Sequence, residues 1–185
     1  MIHSSNLYKQ VDQWLSATAK PRQMVHFRRA AYWVKQLRSD ADEAMLIAAL
    51  GHDAERVFHG HTDPKAGENL HEPAYLKKHQ EGGADIVGDF LQKSGADQKL
   101  VDRVRMLIAR HEEGGTDDQN VIKDADSVSF FENNIDHFLN DLLKKCGREN
   151  VKDKFQWMFS RITSERAKDI VKSWYEQAME SLKKY

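Results

Sequence analysis

The sequence of 185 residues has one cysteine, three prolines and no long apolar run. The single cysteine, Cys146, excludes an internal disulfide. No apolar stretch approaches the roughly 20 residues that a membrane-spanning helix needs. The net charge of −1 gives no reason to expect generic nucleic-acid binding. Residues 1–6 lack the charged-then-apolar pattern of a signal peptide, so we expect a cytoplasmic protein.

Helical periodicity is the dominant pattern that the sequence contains. It predicts helices over residues 5–16, 22–38, 42–57, 73–93, 97–112, 119–145, 148–162 and 164–183, with a loop over 59–72. No segment alternates polar and apolar residues for long enough to predict a strand. We therefore expect an all-α bundle, with the functional site in residues 1–135 and with residues 136–185 packing on the same domain as C-terminal helices. A homo-oligomer remains open.

The most informative local feature is an adjacent histidine and aspartate after an apolar run. Residues 44–50 contain no polar side chain, and Gly51, His52 and Asp53 follow. A helix that is apolar nearly all round should be central in the bundle. Burying an imidazole and a carboxylate there is costly unless both are hydrogen-bonded or bind a metal. The pair therefore indicates a metal centre.

Further potential ligands occur on other predicted helices, at intervals of 26 to 32 residues between successive histidine positions. Each histidine lies on the apolar side of its helix, and helical bundles build metal sites from facing helices. The alternative for any one of them is an ordinary hydrogen-bonded core histidine. Imidazole and carboxylate ligands suit one or two divalent cations per chain, from among Mn, Fe, Zn, Co, Ni and Mg. The predicted metal ligands are His26, His52, Asp53, His79, His111 and Asp126.

The order of these residues resembles the HD superfamily of metal-dependent phosphohydrolases, whose pattern is H…HD…D. Here the pattern is carried by His26, by the pair His52 and Asp53, and by Asp126, which follows an alanine as in the family; Asp124 is the second choice. The resemblance covers residues 20–135 and implies an all-helical bundle. It also implies that the additional histidines orient phosphate or complete a second metal site, with Asp53 bridging the two cations.

The sequence departs from the family pattern in two places. One histidine, His111, stands where the HD members that bind two metals have two. The Gly-Tyr-Pro sequence that follows in cyclic-dinucleotide phosphodiesterases is absent, so phosphodiesterase activity on cyclic dinucleotides is not expected. Arg56 occupies the place of the lysine that contacts phosphate in the family. An arginine keeps the charge and adds a fork geometry suited to phosphate.

We therefore expect a phosphohydrolase acting on a nucleotide or another small phosphate ester. Asp53 is a predicted ligand, and Glu55 either orients the attacking water or is a solvated or arginine-paired carboxylate. Arg56, Lys78 and Arg110 are predicted to hold phosphate, with ordinary surface residues as the alternative. Two other functions stay open: a mixed-valent di-iron oxygenase of the HD fold, which uses the ligand order H…HD…H…H…D, and a non-catalytic regulatory protein that keeps a metal.

Overall fold

The computed structural model describes residues 7–60 and 71–184, and within those ranges it contains helices and no strand. This confirms the all-α prediction. The predicted loop over 59–72 falls largely outside the described residues. The helices are α1 (Leu7–Ser16), α2 (Pro21–Leu37), α3 (Glu43–Gly51), α4 (Ala54–Phe58), α5 (Pro73–Lys93), α6 (Gln98–Ile108), α7 (Asp117–Asn133), α8 (Ile135–His137), a π-helical turn (Phe138–Leu142), α9 (Leu143–Cys146), α10 (Arg148–Ser160) and α11 (Glu165–Leu182).

Helix α3 lies at the centre of the bundle. It packs against α1, α2, α6 and α7, and seven of its nine residues are buried. It begins at a good N-terminal cap, because the Asp42 side chain accepts a hydrogen bond from the backbone N–H of Met45. Residues 44–50 of this helix are alanine, leucine, isoleucine and methionine, which fit a helix with neighbours on every side.

Two helices predicted as continuous are interrupted in the structure. The predicted helix 42–57 ends at Gly51 and resumes at Ala54, so His52 and Asp53 form the turn between α3 and α4. The predicted helix 119–145 ends at Asn133 and continues as a series of short helical segments with a π-helical turn. Hydrophobic periodicity does not register such breaks, because the apolar residues on either side remain in phase with the core.

The apolar side chains of the described residues form two clusters. One contains buried residues from Leu7 to Ala125, and the other contains buried residues from Val128 to Leu182. Trp33 and Leu37 of α2 pack against the second cluster as well, so the C-terminal helices lie directly on the first part of the chain. Across residues 7–60 and 71–184, none of the helices combines the length and the apolar run that crossing a bilayer requires.

Candidate metal centre

The turn that carries His52 and Asp53 is held from both sides. The His52 Nδ1–H donates to the carbonyl of Ala49 at 2.8 Å, which ties the imidazole back to the last turn of α3. On the other side α5 approaches so closely that a Cβ at Gly83 would lie 3.1 Å from the carbonyl oxygen of His52. Both side chains are buried, so the turn directs an imidazole and a carboxylate into the bundle.

The His111 imidazole is oriented in the same way as that of His52. Helix α6 ends at Ile108, earlier than predicted, and His111 lies in the turn that follows. Its Nδ1 donates to the carbonyl of Ile108 at 2.8 Å. A carbonyl can only accept, so in both residues Nδ1 carries a proton, and in the neutral form of the ring Nε2 keeps its lone pair. Both Nε2 atoms are buried and have no hydrogen-bond partner.

His26 and His79 show the same arrangement with side-chain partners. The Ser129 hydroxyl donates to the backbone carbonyl of His26 at 2.8 Å and therefore accepts from His26 Nδ1 at 2.9 Å. His79 Nδ1 lies 2.9 Å from Glu55 Oε2, and its Nε2 lies 2.9 Å from Asp53 Oδ1. Both partners are carboxylates, so either ring nitrogen of His79 can be the donor. All four imidazoles thus have a partner at Nδ1 and direct Nε2 to the interior, the arrangement by which metal-binding histidines are oriented.

The free Nε2 atoms meet two carboxylates. Asp126 Oδ1 lies 3.1 Å from His26 Nε2 and 3.3 Å from His52 Nε2. Asp53 Oδ1 lies 2.9 Å from His79 Nε2, and its Oδ2 lies 3.9 Å from His52 Nε2. In a neutral His26 or His52 the one N–H is on Nδ1, so the contacts of their Nε2 atoms pair a lone pair with an anion unless a proton or a metal cation lies between them.

The structure brings all six predicted metal ligands together. Two groups have ligand atoms that all lie within 4.8 Å of one another: His26, His52 and Asp53, and Asp53, His79 and His111. Asp53 belongs to both groups, and Asp126 closes the first one through its contacts to two of the imidazoles. Imidazole nitrogen and carboxylate oxygen are ligands that divalent transition metals accept, so this buried cluster could hold metal ions.

The electrostatics of the cluster follow from burial and from these contacts. Burial by itself lowers the pKa of His52, but the carboxylates of Asp126 and Asp53 outweigh it and raise that pKa to about 9. Burial dominates at His111 and lowers its pKa to about 4. At Asp126 burial raises the pKa, but the positive charge of Arg161 and the neighbouring imidazoles hold it well below its usual value. The carboxylates therefore stay ionised and ready to bind a cation.

Arg56 lies beside the cluster. Its Nη1 contacts Asp53 Oδ2 at 3.0 Å and its Nη2 lies 3.5 Å from Glu112 Oε1. Its Nε is buried and has no hydrogen-bond partner, and the residue lines the cavity described below. Lys78 is exposed, and Arg110 is half-exposed and pairs with Glu113 at 2.7 Å. Neither Lys78 nor Arg110 is among the residues that line the cavity.

Sequence reasoning missed a buried charge pair from the C-terminal helices. Arg161, just after α10, donates to Asp126 Oδ2 and to Glu112 Oε2, and its Nε donates to Ser127 Oγ at 2.9 Å. A residue beyond position 135 therefore contacts the carboxylates of the candidate site. Glu112 could have been found from its position next to His111, whereas Arg161 lies 35 positions after Asp126 and no sequence pattern connects the two.

The choice between Asp126 and Asp124 has a geometric answer. Asp124 accepts hydrogen bonds from the backbone N–H groups of Thr163 and Ser164, each at 2.8 Å. Both of its oxygens are thereby used to hold the connection between α10 and α11. Asp126, two residues further along α7, directs Oδ1 toward the imidazoles of His26 and His52 and is the carboxylate available to a cation.

A cavity of about 330 Å³ opens beside the cluster. Its lining includes residues at or next to the cluster, namely His26, Asp53, Arg56, Glu112 and Asp126. The other lining residues include Lys20, Arg22, Gln23, Phe27, Phe130, Asn134, His137, Phe138, Leu142, Lys154 and Met158. The cavity thus joins the six-ligand cluster to a partly apolar space built by residues of α2, of α7 and of the segments that follow α7. A small organic molecule with a charged end has the matching character.

Searches of curated proteins and of solved structures find no significant match to this chain. A family model described as "Domain of unknown function (DUF4202)" matches residues 3–182, which include every helix of the candidate site. Because the match covers nearly the whole sequence, the chain belongs to the DUF4202 family.

Proposed function

We propose that this protein is a cytoplasmic, metal-dependent phosphohydrolase of the HD type, acting on a nucleotide or another small phosphate ester. The observation that carries the proposal is the pair of buried three-residue groups that share Asp53. Such a shared carboxylate suits two neighbouring cations, the arrangement that many phosphate-cleaving enzymes use.

The ligand roles follow from the contacts. His26, His52 and Asp126 would hold one cation, His79 and His111 the other, and Asp53 would bridge the two. When bound, divalent cations acidify a water molecule and polarise a phosphoryl oxygen. The hydrogen bonds at the four Nδ1 atoms keep the imidazole rings in place before any cation arrives.

The net charge of the site favours an anionic substrate. Asp53, Glu55, Glu112 and Asp126 supply four negative charges, and Arg56, Lys154 and Arg161 supply up to three positive ones. Two bound divalent cations would make the net charge of the site positive, and a bound phosphate would then reduce that positive charge. The unpaired Nε of Arg56 offers such an anion a hydrogen bond.

Glu55 acts in this proposal as a positioning residue. Its Oε2 lies 2.9 Å from His79 Nδ1, and the hydrogen bond between them is the main reason that the pKa of Glu55 is lowered. The carboxylate then fixes which nitrogen of His79 points at Asp53. A role for Glu55 in orienting the attacking water stays a prediction.

The test measures metal content and activity in the same preparation. Protein purified without added metal is subjected to elemental analysis, and phosphate release from a panel of nucleotides and phosphate esters is then measured with Mn, Co or Ni. We expect about two cations per chain and metal-dependent phosphate release. Asp53→Asn should lose both, whereas Asp102→Asn, at an exposed aspartate of α6, should change neither. Full metal content in Asp53→Asn, or a wild type that binds no divalent cation, would overturn the proposal.

A mixed-valent di-iron oxygenase is the second candidate, and the count of four imidazoles and two carboxylates favours it. Both candidates predict two cations, so the identity of the metal separates them. Two irons per chain with a low-temperature paramagnetic signal, and no phosphate release from the panel, would support the oxygenase.

A further inference from the structure

Lys154 is a buried cation in the wall of the cavity. Lys154 lies on α10, only 8% of the residue's surface is exposed, and it lines the cavity together with Met158. Its ammonium group lies 4.3 Å from the centre of the Trp157 ring and 6.0 Å from that of Phe130. No carboxylate oxygen of the described residues lies within 4.0 Å of it. Aromatic faces stabilise an ammonium only partly, so a buried one without an anion is costly.

The two neighbouring guanidinium groups differ from Lys154 in this respect. Arg56 lies within 3.5 Å of carboxylate oxygens of Asp53 and Glu112, and Arg161 contacts Asp126 and Glu112. Most of their donors are therefore engaged by acidic groups of the site. Of these three cations, Lys154 is the one that no carboxylate contacts in the described part of the chain.

A second unpaired polar group lies in the same wall. The Oδ1 atom of Asn134, just after α7, is buried and has no hydrogen-bond partner. Asn134 also lines the cavity, beside the rings of Phe130 and Phe138. Buried polar atoms are nearly always hydrogen-bonded, so an unpaired one at a cavity points to a group that a ligand supplies.

We propose that Lys154 binds an anionic oxygen of the substrate, and that this lysine, contributed from outside the HD-like residues 20–135, is the principal phosphate-binding cation of the site. The inference rests on the proposed function and assigns the phosphate to a different residue from those that the sequence suggested. Asn134 would accept a hydrogen bond from the organic part of the same ligand.

The test measures binding of inorganic phosphate to the metal-loaded protein by calorimetry, with acetate as a second anion. Loss of a charge-assisted hydrogen bond should weaken phosphate binding about 10- to 100-fold in Lys154→Met. Lys154→Arg, which keeps the charge, should retain most of the affinity. Lys152→Met is the matched control, because Lys152 lies on the same helix, is half-exposed, pairs with Glu149 and does not line the cavity. This variant should bind phosphate as the wild type does.

The outcomes separate the two proposals. If Lys154→Met binds phosphate as tightly as the wild type, Lys154 is structural, whether or not the melting temperature falls. That result overturns this inference and leaves the proposed function standing. If the variant does not fold, Lys154→Gln takes its place with the same expected loss. Acetate bound as tightly as phosphate and weakened equally by the substitution would identify a carboxylate site instead. A metal-loaded wild type that binds no phosphate and releases none from esters overturns both proposals.

Discussion

Replacing Arg161 with methionine should destabilise the metal-free protein strongly. The Arg161 side chain is 7% exposed and contacts the carboxylates of Asp126 and Glu112 and the hydroxyl of Ser127. Methionine keeps much of the side-chain volume and the contact with Trp157, whose ring centre lies 4.6 Å from the guanidinium carbon, but it removes the charge. Two buried carboxylates then lose a partner.

The magnitude follows from what remains around those carboxylates. Removing one partner of a buried ion pair costs about 3–5 kcal/mol. Asp126 keeps its contacts with two imidazoles and Glu112 keeps Arg56, so we expect the lower end, about 3 kcal/mol. For a chain of this size each kcal/mol shifts the melting temperature by about 2–4 °C, which predicts a decrease of about 6–12 °C.

Metal binding should reduce this difference. A cation at His26, His52 and Asp126 would supply the positive charge that Arg161 otherwise provides. Thermal denaturation followed by circular dichroism, with chelator and then with added Mn²⁺, measures both values. Arg166→Met, at an exposed position of α11, is the control and should melt like the wild type. A variant within about 2 °C of the wild type in chelator, where about 6–12 °C is expected, would refute the buried-charge reasoning. A deficit unchanged by metal would refute the role of Asp126.

Three further predictions concern the same region. The folded-state pKa of His52 is raised from 6.5 to about 9, so protonated His52 should stabilise the metal-free protein below pH 6.5, and the free energy of unfolding should fall by about 3 kcal/mol as the pH rises to 9. Chemical denaturation across this pH range should show that dependence in the wild type and not in His52→Gln. Equal pH dependence in the two proteins would contradict the prediction. Asp124→Ala should lower the free energy of unfolding by about 2–4 kcal/mol, because two backbone N–H groups lose their acceptor. Its metal content should persist, whereas Asp126→Ala should lose metal. Elemental analysis that shows metal loss in Asp124→Ala instead would reverse the assignment of the two carboxylates. Gly83→Ala should push on the His52 carbonyl and cost about 1–3 kcal/mol with weaker metal binding, and an unchanged melting temperature and metal titration would show that the turn adapts.

The sequence by itself determined the helical class, the central apolar helix and the residues of the buried cluster. These depend on local order: periodicity marks which side of a helix is buried, and a histidine on that side must be hydrogen-bonded or bind a cation. The sequence did not show which ring nitrogen of His26 carries the proton, because the partner of its Nδ1 is a hydroxyl of α7, 103 residues away.

Only the tertiary structure decided which charged residues surround the cluster. Lys78 and Arg110 are each adjacent in sequence to a histidine of the cluster, yet Lys78 is exposed and Arg110 pairs with Glu113 outside the cavity. Lys78 lies on α5, where successive residues point about 100° apart, so a neighbour of a buried residue is often exposed. Arg110 lies in the turn after α6. Arg161 and Lys154 come to the site through the packing of α10 and α11 on α7, an arrangement set by the shapes of apolar surfaces over the whole bundle and not by any local pattern.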